Sequence, residues 1–422
     1  MSGFVTEIAP RSAEVDACIQ CGLCLPFCPT YRLTGDERYS PRGRLAAMSA
    51  VIADVTDVGP SFEDALSTCL GCRACEAVCP GLVPYGRAYE GAKAELAAQR
   101  PSPSRRVRAG LIGRLLEHRG AVAAATGALS LAQRLGLASV LPAQLARSLR
   151  GMRGLSSEPP SWVGREVEAI GEPRGTAALL AGCVMDAWFG SVHAATIGVL
   201  TRAGYRVVVP ENQTCCGALA AHDGLVDDAR RMAATNADAF ADADLIVADA
   251  AGCSAHLSEY GEWTPRGEDL QERAIDATIL TASLLDAGLL PMVSGDGTRV
   301  AIQDPCHLRH AQRDVTSART VVRAAGLTPI DIDQDGLCCG AAGVYSMLHP
   351  ETSGQLGRRK KDQIEATGAQ LVASANPGCE MQLRAHLSSE SRVAHPVELY
   401  WEALVRAGPA LASAAAGHSE VR

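Results

Sequence analysis

From residue 176 onward, short apolar runs alternate with longer stretches of helical period. Thr176–Leu180 predicts a strand ending at Gly182–Cys183, and Val192–Ala203 a helix stopping near Gly204. Val207–Val209 predicts a strand leading to Cys215–Cys216–Gly217, and Leu245–Ala248 one that delivers Cys253. The succession then repeats. Arg299–Ile302 precedes Pro305–Cys306, Ala318–Ala325 is a helix ending near Gly326, Thr328–Ile332 runs to Cys338–Cys339–Gly340, and Leu371–Ala373 delivers Cys379. The cysteines of the second copy follow those of the first by 123, 123, 123 and 126 residues, which marks an internal duplication. Strands alternating with helices predict two α/β lobes on parallel sheets, over 176–290 and 291–422.

Ahead of the lobes the pattern changes. Segments such as Gly43–Ala53 have helical period, so 1–99 reads as a helical domain and the whole chain as α+β. Residues 154–175, with Ser156–Ser157, Pro159–Pro160 and several glycines, read as a linker. Between them, 100–153 holds ten arginines and one acid, Glu117. That segment carries +9 in a chain of net charge −8, leaving −17 on the rest. Val107, Leu111, Ile112 and Leu115 recur at helical spacing, and Leu145 and Leu149 repeat it, with Arg106, Arg108, Arg114, Arg119, Arg147 and Arg150 interspersed. Such a basic amphipathic segment suits anionic lipid, or packs on the preceding domain or on a partner subunit.

Composition narrows the class. At 422 residues, 47% hydrophobic and 20% charged, the chain can bury several cores, and its acidity excludes a general nucleic-acid binder. The first residues lack a basic start followed by an apolar run, and no apolar stretch approaches the roughly 20 residues of a membrane span. The expected location is the cytoplasm, or peripherally the inner face of the cytoplasmic membrane. Thiols stay reduced there, so the 16 cysteines read as metal ligands rather than disulfides.

Eight cysteines lie before residue 80, as Cys18-x-x-Cys21-x-x-Cys24-x-x-x-Cys28-Pro29 and Cys69-x-x-Cys72-x-x-Cys75-x-x-x-Cys79-Pro80. A thiolate at every third residue of a tight loop can wrap one iron–sulfur cubane, while the fourth cysteine, turned away before proline, ligates the other cluster. The spacing assigns Cys18, Cys21, Cys24 and Cys79 to one [4Fe–4S] cluster, and Cys69, Cys72, Cys75 and Cys28 to a second. Paired zinc sites are the alternative, but their ligands normally fall in two C-x-x-C pairs across a longer loop. The 40 residues between the motifs exceed a minimal two-cluster ferredoxin and suggest a helical ferredoxin domain.

The other eight are Cys183, Cys215, Cys216, Cys253, Cys306, Cys338, Cys339 and Cys379. Adjacent cysteines fit poorly around one tetrahedral ion and suit bridging across a multi-iron cluster, with Gly217 and Gly340 allowing a tight turn. Buried structural thiols or zinc are the other readings. His307 and His310 beside Cys306 can tune or ligate a cluster, or simply bond locally. Asp304 reads as an ordinary strand-end residue.

The Cys-Cys-Gly repeat resembles the heterodisulfide reductase B-type domain. The full layout resembles the iron–sulfur subunit of glycolate oxidase (glycolate dehydrogenase), carried by CGLCLPFCP at 21–29, SPRGR at 40–44, CLGCRACEAVCP at 69–80, LCCGAAGVY at 337–345 and ANPGC at 375–379. The resemblance implies two N-terminal [4Fe–4S] clusters, one or two further iron–sulfur clusters in the lobes, and electron transfer from an FAD-containing 2-hydroxy-acid oxidase subunit towards membrane quinone. One departure stands out. B-type domains usually close on C-x-x-C, whereas Ala250 and Asn376 occupy the first of those positions here. No dinucleotide fingerprint follows a predicted strand and no P-loop is present, so no flavin and no catalytic residue are expected on this chain. The alternatives are a subunit of a related quinone-linked D-lactate or glycerol-3-phosphate dehydrogenase, a disulfide reductase subunit, and a non-catalytic zinc scaffold.

Overall fold

The computed structural model describes residues 3–156, 161–332 and 336–408; Ser157, Pro159 and Pro160 of the expected linker lie outside them. The first lobe holds β1 (Glu166–Val167), β2 (Gly175–Leu179), β3 (Tyr205–Val208), β4 (Leu245–Ala248) and β5 (Ala274–Asp276), in the order β1-β3-β2-β4-β5. The second holds β6 (Arg299–Ile302), β7 (Thr328–Asp331), β8 (Leu371–Ala373) and β9 (Arg392–Ala394), in the order β7-β6-β8-β9. Apart from β1, which has no counterpart among the described residues of the second lobe, the two orders coincide strand for strand, and every pairing is parallel except β1 on β3. The duplication in the cysteine spacing is therefore a duplication of topology.

Parallel sheets need both faces covered, which is why these strands are short, apolar and mostly buried. Helices Gly190–Arg202, Ala277–Asp286, Ser317–Ala324 and Pro396–Ala407 supply the cover. Their Val199, Leu200, Leu284, Val321, Val397 and Tyr400 share one apolar core with Leu179 and Val247. That core draws on both lobes, so they are welded together. Within the stretch expected as a linker, Val163 and Val167 pack on it and β1 adds an edge strand.

The N-terminal region, as described, contains helices and no strand. Helix Pro41–Ile52 shows the local logic. The Ser40 hydroxyl accepts from the Gly43 amide at 3.0 Å, and Pro41 fills the first helical position, where no N–H is needed. Leu45, Met48 and Val51 then face a core with Phe62, Leu66, Tyr89 and Leu96. Residues 103–151 form helix Pro103–Gly110, a wider turn over Leu111–Leu115, helix Arg119–Arg134 and helix Ala143–Gly151. The expected apolar stripe is only partly buried: Ile112 and Leu149 are inside, while Val107 is 72% and Leu145 47% exposed.

Several arginines of this segment are used internally. Arg105 pairs with Glu63, Arg108 with Asp223, and Arg153 with Glu380 and Glu398, while Arg119 donates to the carbonyls of Glu211 and Gln213. No helix among the described residues is long and apolar enough to cross a membrane.

Candidate metal centres

The two N-terminal motifs take the same loop shape. Left-handed backbone falls at Gln20 and Gly22 in the first and at Gly71 and Arg73 in the second, the same two motif positions each time. A glutamine and an arginine held there are strained relative to glycine, which marks a loop over-determined by its surroundings. After Cys28 the chain enters helix Pro29–Thr34, with Pro29 at its first position, and so carries Cys28 away from its own loop.

The consequence is a regrouping of thiols. Cys18, Cys21, Cys24 and Cys79 border one cleft, which Cys75 also touches. Cys28, Cys69, Cys72 and Cys75 border a second, with Arg44 and Tyr85. Among the described residues no carboxylate lines either cleft. Cys21 of the first set is exposed, whereas all four thiols of the second are buried. Burial pushes Cys24 up to about 11 and holds Cys72 and Cys75 well above the ordinary thiol range. Such thiols ionise most readily against a positive charge, and an all-thiol donor set of this kind fits the irons of an iron–sulfur cluster.

The second eight cysteines lie at the carboxyl ends of the parallel strands, where doubly wound sheets gather ligands. The repeat divides them four to a lobe. In the structure all eight line one cavity of about 390 Å³ between the lobes. Cys183 and Cys215 place their sulfurs 3.3 Å apart, as do Cys339 and Cys379. Hydrogen bonds from neighbouring thiols push Cys215 and Cys339 down, so each lobe already polarises one sulfur of its adjacent pair. Among the described residues no three His, Cys, Asp or Glu side chains converge closely enough to hold a single metal ion; the sulfurs border clefts instead.

Cys69 and Leu70 also line this cavity, so the buried N-terminal cleft and the interlobe cavity adjoin. That contact was invisible to motif reading. So were Lys93, whose Nζ lies 3.8 Å from Asp223 in the cavity wall, and His222, whose Nδ1 meets Glu90 at 2.9 Å. Asn376 stands where the usual cysteine is missing. Its Nδ2 donates to Cys379 Sγ at 3.6 Å and its Oδ1 accepts from the Gly252 amide at 3.1 Å, linking one lobe's thiol to the other lobe's backbone.

The two histidines separate. His307 lines the cavity with Nδ1 3.6 Å from Cys306 Sγ, while His310 bonds to the Gly336 carbonyl at 3.1 Å and takes no part in the cavity wall. Asp304 is more than a strand end, because Arg309 and Arg319 clamp it at 2.9 Å each.

Comparison with known proteins agrees with this layout. Residues 14–83 match the 4Fe-4S dicluster domain, and 177–258 and 300–384 each match the cysteine-rich domain. The chain is similar to the lactate utilization protein A of Shouchella clausii, 31% identical over 48% of this chain and 87% of that protein. It is 33% identical to the probable glycolate oxidase iron–sulfur subunit of Bacillus subtilis, over 92% of this chain and 94% of that protein. It is 31% identical to the glycolate oxidase iron–sulfur subunit of Escherichia coli, over 93% and 96%. With its thiol-lined sites in place and its likeness running nearly end to end, the chain belongs to the glycolate oxidase iron–sulfur subunit family.

Proposed function

We propose that this chain is the iron–sulfur electron-transfer subunit of a glycolate-type 2-hydroxy-acid dehydrogenase, with substrate oxidation on an FAD-containing partner subunit and quinone as the onward acceptor. One observation carries the reading: the thiol-lined sites form a row. Cys75 borders both N-terminal clefts, and Cys69 borders both the buried cleft and the interlobe cavity. Cys18, Cys21, Cys24 and Cys79 hold one [4Fe–4S] cluster, and Cys28, Cys69, Cys72 and Cys75 a second. Cys183, Cys215, Cys216, Cys253, Cys306, Cys338, Cys339 and Cys379 hold one or two more. When bound, such clusters carry single electrons, the currency a flavin can deliver after a two-electron oxidation. The chain's own part is spacing and insulation, with an exposed thiol in the first set and four buried thiols in the second. The divisions at 1–99, 100–153, 154–175, 176–290 and 291–422 follow the same reading.

The test is reduction of the anaerobic chain, read by the bleaching of its visible absorbance. Glycolate alone should leave it oxidised, and glycolate with the flavoprotein partner should reduce it. Turnover of glycolate by this chain alone would refute the assignment. Similarity to lactate utilization protein A over half the chain supports a second reading, in which the partner oxidises lactate. The same assay with D-lactate separates the two.

A further inference from the structure

Arg44, the last residue of the SPRGR stretch, is 1% exposed, yet no carboxylate pairs with it among the described residues. Its Nε donates to the Ala65 carbonyl at 2.7 Å, and one terminal nitrogen donates to the hydroxyls of Thr30 and Thr68 at 3.0 Å each. The other terminal nitrogen lies 3.9 Å from Cys28 Sγ. Other arginines of the interior are matched: Arg73 by Glu76 and Glu259, Arg105 by Glu63, Arg108 by Asp223, and Arg153 by Glu380 and Glu398. A buried guanidinium without a counter-charge is strongly disfavoured, so a fold that keeps one must hold negative charge beside it. Arg44 lines the cleft bordered by Cys28, Cys69, Cys72 and Cys75. Tyr85 places its hydroxyl 3.6 Å from Cys69 Sγ. The groups beside the Arg44 guanidinium that can carry negative charge are thus the thiols of this cleft, Cys28 first among them.

The first cleft is built differently. Its arginine, Arg42, is bound by Glu37 at 2.6 Å and contributes no net charge. We propose that Arg44 is the built-in counter-charge of the centre held by Cys28, Cys69, Cys72 and Cys75, raising its reduction potential above that of the centre held by Cys18, Cys21, Cys24 and Cys79. The inference rests on the assignment of clusters to these two cysteine sets. One-electron reduction adds one negative charge to a buried centre. Burial alone opposes that charge, whereas a fixed cation at a ligand sulfur favours it. Electrons entering at the exposed centre then move downhill to the buried one that adjoins the interlobe cavity.

The experiment is a redox titration of the full chain, purified anaerobically and followed by electron paramagnetic resonance, with iron and sulfide measured alongside. Arg44→Met and Arg44→Gln should retain both N-terminal centres and lower the potential of one by at least 59 mV, a tenfold change in a one-electron equilibrium. The other centre should stay put, and Arg44→Lys should recover most of the shift. Loss of the second centre in both neutral variants, with retention in Arg44→Lys, also supports a counter-charge. Unchanged potentials, equal shifts of both centres, or loss of the centre in all three variants would overturn the proposal and leave the cluster assignment standing. A parent chain without iron or sulfide overturns both.

Discussion

Replacing Arg153 with methionine should loosen the second lobe. Its guanidinium lies between Glu380, on the helix Pro377–Arg384 that also carries Cys379, and Glu398, on helix Pro396–Ala407. Contacts of 2.7 Å to both Glu380 oxygens and 2.8 Å to both Glu398 oxygens are joined by 2.8 Å to Ser191 Oγ, and the charge sits 4.7 Å above the Phe189 ring. Burial opposes ionisation of both carboxyls: at Glu398 Arg153 overcomes it and holds the carboxyl down at about 2, whereas at Glu380 burial prevails and the carboxyl stays raised. Against an ordinary glutamate value of about 4.3, the depression at Glu398 is worth about 3 kcal/mol at neutral pH. Removing one partner of a buried pair typically costs about 3–5 kcal/mol, so the variant should lose about that much. A depressed carboxyl stabilises the fold fully above its unfolded value and loses that contribution as pH falls from about 4.3 towards 2. In the variant the stranded carboxylates take up protons more readily, so the deficit should be largest at pH 7 to 8 and shrink towards pH 5. Anaerobic urea unfolding at both pH values measures this, with Arg153→Met/Glu380→Gln/Glu398→Gln as the control that should regain most of the loss. A deficit under about 1 kcal/mol, the range of an exposed pair, would refute the reasoning, as would a deficit unchanged in the triple variant.

Two further outcomes are expected. Cys24→Ala and Cys28→Ala should damage spectroscopically different clusters although the residues are four apart in one motif; identical losses in electron paramagnetic resonance would end the crossed ligand assignment. Charge reversal at Arg134, Arg147 and Arg150, which have no ion-pair partner among the described residues, should weaken co-sedimentation with anionic vesicles more at low salt than at high salt. No change on vesicles would assign that face to the flavoprotein or to solvent.

Strands that carry chemistry were legible because an apolar run ends at a cysteine. The structure puts β4, β6 and β8 on the very residues the pattern marks and shifts β2, β3 and β7 by two residues or fewer at either end. β5 and β9 were not legible. Each has three residues and no cysteine after it, too short a stretch for any period to show. The meeting of all eight lobe cysteines was also hidden, since the 123-residue repeat describes each lobe and says nothing of how the two face each other. Charge counting overstated the free basic surface. Arg105, Arg108 and Arg153 find acids 42, 115 and 227 or more residues away, contacts that only the tertiary fold creates.

The tie across the lobes has a historical consequence. The Ala251 amide donates to the Ala375 carbonyl at 3.0 Å, and beside it Gly252 donates to the Asn376 side chain. By the 126-residue offset, the mirror-image donor would be residue 377, which is a proline and has no N–H, and the mirror image of Asn376 is Ala250, whose side chain has no acceptor. A half-length ancestor could enclose the interlobe cavity only by pairing with a copy of itself, and every substitution there would have appeared twice. Within one polypeptide the two halves are free of that constraint. One half was then free to become the strut and the other the surface it braces.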